Sequence, residues 1–193
     1  MRRLLPALLA CTLPLVACAL PPAPPTAALP PDAVSGAGDP TRMAILNTAY
    51  AFGTPAVLSG QPGEAARAVA QVEYLAGELA SGPRWIRFRG IVAPQMQGAQ
   101  AELRQVLGVA PGAPPQAVVD SLYAASRALR AGDRAGAEQA LRPDLFPAGG
   151  AATLARLSAL PPLPRTRAAT VLAQEELQRD DLSGMRGRPG GSF

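Results

Sequence analysis

The side chains able to do chemistry here are few in kind: 14 acidic residues, 3 tyrosines, 2 cysteines and 18 arginines, with no lysine and no histidine. Without histidine, the Ser-His-Asp and Cys-His arrangements that activate a nucleophile lack their base. Zinc sites assembled from Cys and His lack their ligands for the same reason. Carboxylates are what remains for acid–base work. Glu73, Glu78 and Glu102 stand in helical stretches, and Glu73 has the small residues Val69, Ala76 and Gly77 near it at helical spacing. Such a glutamate is ordinarily a solvated helix position or a partner for arginine, so no catalytic residue is assigned. No glycine-rich phosphate loop and no cluster of metal-type carboxylates occurs in the sequence, and neither cofactor nor metal is expected.

The densest polar and aromatic stretch is Arg84-Trp85-Ile86-Arg87-Phe88-Arg89-Gly90, which sets three arginines around the single tryptophan. Guanidinium groups beside aromatic rings suit an anionic head group, a carboxylate or a glycan. Trp85, Arg87 and Arg89 are therefore the candidate ligand-binding residues. In the competing reading Trp85, Ile86 and Phe88 plug the core while the arginines stay in water. Asn47, inside an apolar helix, reads as a hydrogen-bonded core amide.

The N-terminus speaks to location. Met1-Arg2-Arg3 precedes an apolar run from Leu4 to Leu20 that is broken by Pro6 and Pro14. Two arginines, a short apolar segment and small residues form the layout of a secretory signal peptide. A permanent span needs about 20 apolar residues. Leu15-Val16-Ala17-Cys18 resembles the lipobox of bacterial lipoprotein signal peptides. The resemblance implies a signal peptide over residues 1–17, cleavage before Cys18, a diacylglycerol on its sulfur and usually an acyl group on the new amino terminus. At roughly 0.8 kcal/mol per buried CH₂, two or more chains make a stable anchor. Two other readings of the region stay open. Ala17-Cys18-Ala19 fits ordinary cleavage that releases a chain starting at Leu20, and Leu8-Leu9-Ala10-Cys11 is a second lipobox-like tetrapeptide behind a shorter apolar run.

Loss of Arg2 and Arg3 leaves 16 arginines against 14 acids, a net charge of +2. That balance does not argue for nucleic acid or an anionic surface as the main partner. Arg186-Gly187-Arg188-Pro189 matches the core of the AT-hook, but a signal peptide sends the tail away from DNA and the flanks add no basic residues. No nucleic-acid partner is expected. Arginine without lysine, with abundant Ala, Gly and Pro, looks like the codon bias of a GC-rich bacterial genome.

The elements that must position these residues are helical. Residues 18–38 form a proline-rich linker, an extended spacer of about 3.1 Å per residue. Residues 39–181 form one domain, large enough to bury a core of its own. Asp39-Pro40 caps a first helix, apolar nearly all round, that Gly53 closes through a left-handed turn. Thr54-Pro55 starts an extra turn. A second helix over about 62–80 carries the stripe Ala65, Val69, Val72, Leu75, Ala76 and Leu79, with Glu64, Arg67, Gln71 and Glu78 away from it. Further helices are read over about 91–107, from Pro114-Pro115 through Leu129, over 133–141 and 153–160, and over 164–179. In the third, Met96, Ala99, Leu103 and Val106 point inward. Residues 182–193 lack periodicity and read as a disordered tail. Short Pro/Gly connections make neighbouring helices antiparallel, so the fold class is all-α, an irregular antiparallel bundle of about five main helices.

Arg127 to Leu141 resembles the middle of a tetratricopeptide repeat, with Gly132-Asp133 at the turn and Ala137 at the crossing. Arrays of that family need at least three units and one is present, so an ordinary helical hairpin is expected. Lytic transglycosylases are helical envelope enzymes with one catalytic Glu, but their Glu-Ser and Gly-Leu-Met-Gln elements are absent here. The plan as a whole resembles small alphaproteobacterial helical lipoproteins. It implies a lipid-anchored, non-enzymatic envelope protein, held to the membrane through Cys18 and engaging an envelope protein or cell-wall component. Ala19, where Asp would signal inner-membrane retention, leans toward the outer membrane facing the periplasm. The alternatives are a periplasmic small-ligand-binding protein, which needs a large apolar cavity, and a Glu-dependent peptidoglycan-active enzyme.

Overall fold

The computed structural model describes residues 26–33, 38–86, 88 and 90–186. The expected signal peptide, Cys18, the first part of the linker, Arg87, Arg89 and the tail from residue 187 lie outside the described residues. The described chain is all-α, without a strand. Its helices are α1 (Pro40–Gly53), α2 (Pro62–Ser81), α3 (Val92–Leu107), α4 (Pro115–Arg130), α5 (Arg134–Ala140), α6 (Gly150–Ser158) and α7 (Pro164–Arg186). Short 3-10 turns occur at Pro31–Ala33, Pro55–Val57 and Pro83–Trp85.

Proline opens α1, α2, α4 and α7, where its missing N–H costs nothing and its fixed φ suits the first turn. Asp39 caps α1 as the sequence predicts: its Oδ1 accepts from the N–H of Thr41 at 3.0 Å and of Arg42 at 3.3 Å. The other end of α1 differs from expectation. Gly53 has no positive φ, and the helix instead closes with the Thr54 N–H on the Tyr50 carbonyl at 3.0 Å. Nor is α1 buried all round, since Ile45 and Phe52 face the core while Tyr50 is 64% exposed.

α2 is the spine. It packs against α1, α3, α4 and α6, and runs of alanine (Ala65, Ala66, Ala68, Ala70, Ala76) let neighbours approach it on several sides while favouring the helix. Because it is covered on so many faces, a single-stripe reading of it fails. Gln71, expected outside the stripe, is 1% exposed, and Glu73 is 3% exposed.

α3 carries Met96, Ala99 and Leu103 inward as expected, with Leu107 rather than the half-buried Val106 completing the face. It stops at Gly108, whose φ of +67° only glycine adopts without strain. The Arg156 guanidinium reaches over that turn and donates to the Leu107 carbonyl at 2.7 Å. α4 and α5 form the expected hairpin: Gly132 turns at φ +76°, Asp133 accepts from the Gly136 N–H at 2.7 Å, and Ala137 is fully buried.

Two boundaries move. α7 continues to Arg186, five residues past the expected end of the domain. Residues 26–33 of the expected spacer lie along α4. There the Gln116 amide accepts from the Ala28 N–H at 2.6 Å and donates to the Ala28 carbonyl at 3.2 Å. Arg127 pairs with Asp32 at 2.8 Å, and its guanidinium holds the Asp32 carboxyl below the usual carboxylate range. A proline-rich segment has unpaired backbone groups to offer, and one glutamine side chain takes up both of them at Ala28.

Candidate functional site

Four elements surround a cleft of about 1050 Å³. The C-terminal turn of α1 and the segment after it supply Ala51, Phe52, Leu58 and Ser59; the start of α3 supplies Ile91 and Gln95. One wall is the connection Ala159-Leu160-Pro161-Pro162-Leu163-Pro164, and the other is the face of α7 bearing Arg167, Ala168, Val171, Leu172 and Glu175.

Local sequence explains why this surface is apolar. Three prolines among residues 161–164 remove three backbone donors from the wall, leaving ring surface and leucine side chains with little that requires hydration. On α7, Ala168, Val171, Leu172 and Glu175 recur at helical spacing from Arg167, so one stripe of the helix looks into the cleft. The opposite stripe, with Ala169, Ala173 and Leu177, is buried. Ile91 is 53% and Val171 36% exposed at the rim, and full burial of such side chains is worth about 1.5–3 kcal/mol each. Arg167 and Glu175 are exposed, and neither joins an ion pair among the described residues.

The start of α7, and with it this wall, is held by a carboxylate from another helix. Leu163 sits where a polar capping side chain normally would, with its carbonyl accepting from the Arg167 N–H at 2.9 Å. Glu102 of α3 supplies the cap: it accepts from the Thr166 N–H at 2.7 Å, from the Thr166 hydroxyl at 2.7 Å and from the Arg165 N–H at 3.3 Å.

A smaller pit of about 80 Å³ lies between α1 and α2, and it shares Ala51 and Leu58 with the cleft. Asn47, Tyr50, Glu64, Arg67 and Gln71 bring polar groups to it. Glu64 and Arg67 pair with each other at 3.0 Å. Gln71 has no hydrogen-bond partner for either its amide nitrogen or its oxygen. On α4, the buried Tyr123 and Ser126 hydroxyls are likewise without partners. Burial pushes the Tyr123 hydroxyl above its usual pKa; the Gln71 amide lies near enough to oppose the shift, though no well-aligned hydrogen bond joins the two. Asn47, expected to be a core amide, is half-buried on the lining of this pit.

Of the candidate ligand-binding residues, Arg87 and Arg89 lie outside the described residues. Trp85 is 4% exposed and lines neither space. Its indole N–H donates to Glu78 at 3.1 Å, its ring meets Phe88 edge-on at 4.9 Å, and Arg84 lies over it at 4.9 Å. Arg84 also pairs with Asp39. Glu73 accepts from Gln100 at 2.8 Å and from Arg104 Nε at 3.0 and 3.1 Å on its two oxygens, and Arg104 Nη2 also pairs with it. Arg104 reaches the Ala113 carbonyl at 3.0 Å as well, so the group ties α2 to α3 and to the turn beyond. Of the three glutamates considered for acid–base work, Glu73 thus holds an arginine, Glu78 a tryptophan and Glu102 a helix end.

The cleft itself escaped sequence reasoning. Its signal was the Pro-Pro-Leu-Pro wall followed by the Ala168, Val171, Leu172 stripe, but a periodic stripe does not announce whether a neighbouring helix covers it. Among the described residues no three acidic or sulfur side chains converge as metal ligands would, and no helix is long and apolar enough to cross a membrane. Comparison with protein-family models, curated proteins and solved structures finds no match.

Proposed function

We propose that this chain is a lipid-anchored, non-enzymatic protein of the cell envelope whose helical domain binds a small molecule carrying an apolar chain. The five longer helices pack as an irregular antiparallel bundle, and the site is the cleft between the Pro161–Pro164 wall and α7. The observation that carries this reading is the cleft's size and lining. A concave, largely apolar space of about 1050 Å³ matches the upper end of small-molecule sites, roughly 300–1,000 Å³ with a few polar groups at the edge. It ranks the small-ligand alternative above a scaffold that engages only proteins. The lipobox resemblance at Cys18 carries the anchor, with the domain on the periplasmic side of the outer membrane.

The test is binding of a fluorescent fatty-acid probe, dansyl-undecanoate, to the mature chain, with and without Leu172→Arg. Leu172 is half-buried on the cleft lining, so a charged side chain there blocks the space while α7 keeps its buried stripe. Saturable binding lost in the variant supports the proposal; equal binding by both proteins overturns the site. The anchor is tested separately by the mass of the N-terminal peptide from the membrane fraction. Acylated Cys18 supports it, and an unmodified peptide starting at Leu20 overturns it.

A further inference from the structure

We infer that the cleft takes a single-chain amphiphile whose head is an oxyanion, a carboxylate or a phosphate, and that the Arg167 guanidinium holds that head. The inference rests on the cleft reading above and adds to it the charge of the ligand and the direction in which it lies.

The first ground is an unpaired cation on an apolar lining. Arg167 lines the cleft, is exposed, and joins no ion pair among the described residues. A guanidinium presents its donors in a planar fork that meets a carboxylate or a phosphate on two oxygens at once. Its apolar stem packs along hydrocarbon while the charged end stays open to a ligand. The second ground is that the rest of the lining offers an anion little else. Pro161, Pro162 and Pro164 carry no N–H. The Arg165 and Thr166 N–H groups at the start of α7 are taken by Glu102, which does not line the cleft. Ser59 and Gln95 are polar but uncharged. Among the described lining residues, an oxyanion therefore finds its cation at Arg167.

The third ground is polarity along α7. Glu175 lines the same cleft two helical turns after Arg167, about 12 Å further along the axis at 1.5 Å per residue. That separation exceeds the Debye length of about 8 Å at physiological salt, so the carboxylate does not neutralise the guanidinium across the open cleft. Val171 and Leu172 stand between the two charges. A head at Arg167 lays its chain over these two side chains, whereas the reverse orientation brings an anion against Glu175, which repels it.

The experiment uses the mature chain from residue 18 with Cys18→Ser, so that no acyl chain of its own competes. Binding is read by displacement of N-phenyl-1-naphthylamine, an uncharged apolar dye that makes no demand on the head site. The competitors share one chain and differ in the head: decanoate, decyl phosphate, decanol and decyltrimethylammonium. The wild type should take one or both anions about fivefold tighter than decanol, the size that a partly exposed ion pair allows, and decyltrimethylammonium more weakly than decanol. Which anion leads distinguishes a carboxylate head from a phosphate. Arg167→Met keeps an unbranched stem and removes the charge, and should bring the anions level with decanol. Arg167→Glu should invert the order and place decyltrimethylammonium ahead of the anions. Arg165→Met loses the same charge from a side chain that does not line the cleft and should leave the wild-type order intact. The head assignment is overturned if wild type binds neither anion tighter than decanol, if the Arg167 variants keep the wild-type order, or if Arg165→Met erases it as fully. If the dye does not bind, or binds equally to Leu172→Arg, the cleft reading itself has failed, a result distinct from those.

Discussion

Removing the Glu102 carboxylate should loosen α7 and the cleft together. The first backbone N–H groups of a helix have no partner within it, and a capping side chain is worth about 0.5–2 kcal/mol. Here Glu102 serves the Arg165 and Thr166 N–H groups and, in addition, the fully buried Thr166 hydroxyl, whose other acceptor is the Ala99 carbonyl at a long 3.5 Å. A hydrogen bond to a charged partner adds about 1.5–3 kcal/mol, and part of that is already counted in the cap. Glu102→Ala should therefore cost about 2–3 kcal/mol, which for a domain of this size lowers the melting temperature by about 5–10 °C. Glu102→Gln keeps an acceptor and loses the charge at the positive end of the helix, worth about 0.3–1 kcal/mol. Urea unfolding followed by circular dichroism measures both, and hydrogen exchange at the Arg165 and Thr166 amides localises the effect. The capping argument is refuted if the two variants are equally stable, or if Glu102→Ala leaves exchange at those amides unchanged.

Glu73→Ala strands the guanidinium of Arg104 against a largely buried surface. Breaking a buried pair from one side costs about 3–5 kcal/mol, so urea unfolding should show a loss of that order, and a loss below about 1 kcal/mol would contradict the tie between α2 and α3. The Arg42 guanidinium, bonded to Asp181 at 2.7 and 2.5 Å, holds that carboxyl below its usual pKa. A lowered folded pKa stabilises above the unfolded value near 3.9 and loses that contribution as pH falls through the folded value. With both side chains 38% exposed, the pair is worth less than about 1 kcal/mol. Wild type should therefore exceed Asp181→Asn by that much at pH 7, with the difference closing below about pH 4; a difference independent of pH counts against the pair. Gly150→Ala places a methyl group against the Glu138 backbone carbonyl, so its melting curve should shift down more than that of Gly98→Ala, where the added methyl meets nothing.

How much of this was legible beforehand depends on where the information lies. The Asp39-Pro40 cap and the Gly132-Asp133 turn are local: a side chain within three residues decides each, so the sequence shows them. Gly53 looked equally local, yet the helix closes on Thr54, because the following Pro55 turn continues the chain without a left-handed residue. The Glu102 cap could not be read, since donor and acceptor stand 64 residues apart. The same holds for Gln71, whose surroundings depend on which helices surround α2. Trp85 misled for a different reason. An aromatic ring among arginines has the same composition whether it binds a ligand or closes a core, and only its burial against Glu78 and Phe88 distinguishes the two.

The middle of α2 carries two buried polar side chains that the bundle treats differently. Gln71 and Glu73 are two residues apart on one helix and both lie within the protein, so they face different neighbours. Glu73, the more costly of the two to bury, is fully provided for by Gln100 and Arg104. Gln71, for which leucine or methionine would pack as well at lower cost, lies beside the Tyr123 hydroxyl of α4 without a well-aligned hydrogen bond. One helix thus carries a buried polar group fully satisfied from within and another that its buried neighbour satisfies poorly. Gln71→Met should therefore stabilise the fold, read as a rise in melting temperature. A fall in melting temperature in that variant would show that the Gln71 amide and the Tyr123 hydroxyl stabilise each other after all.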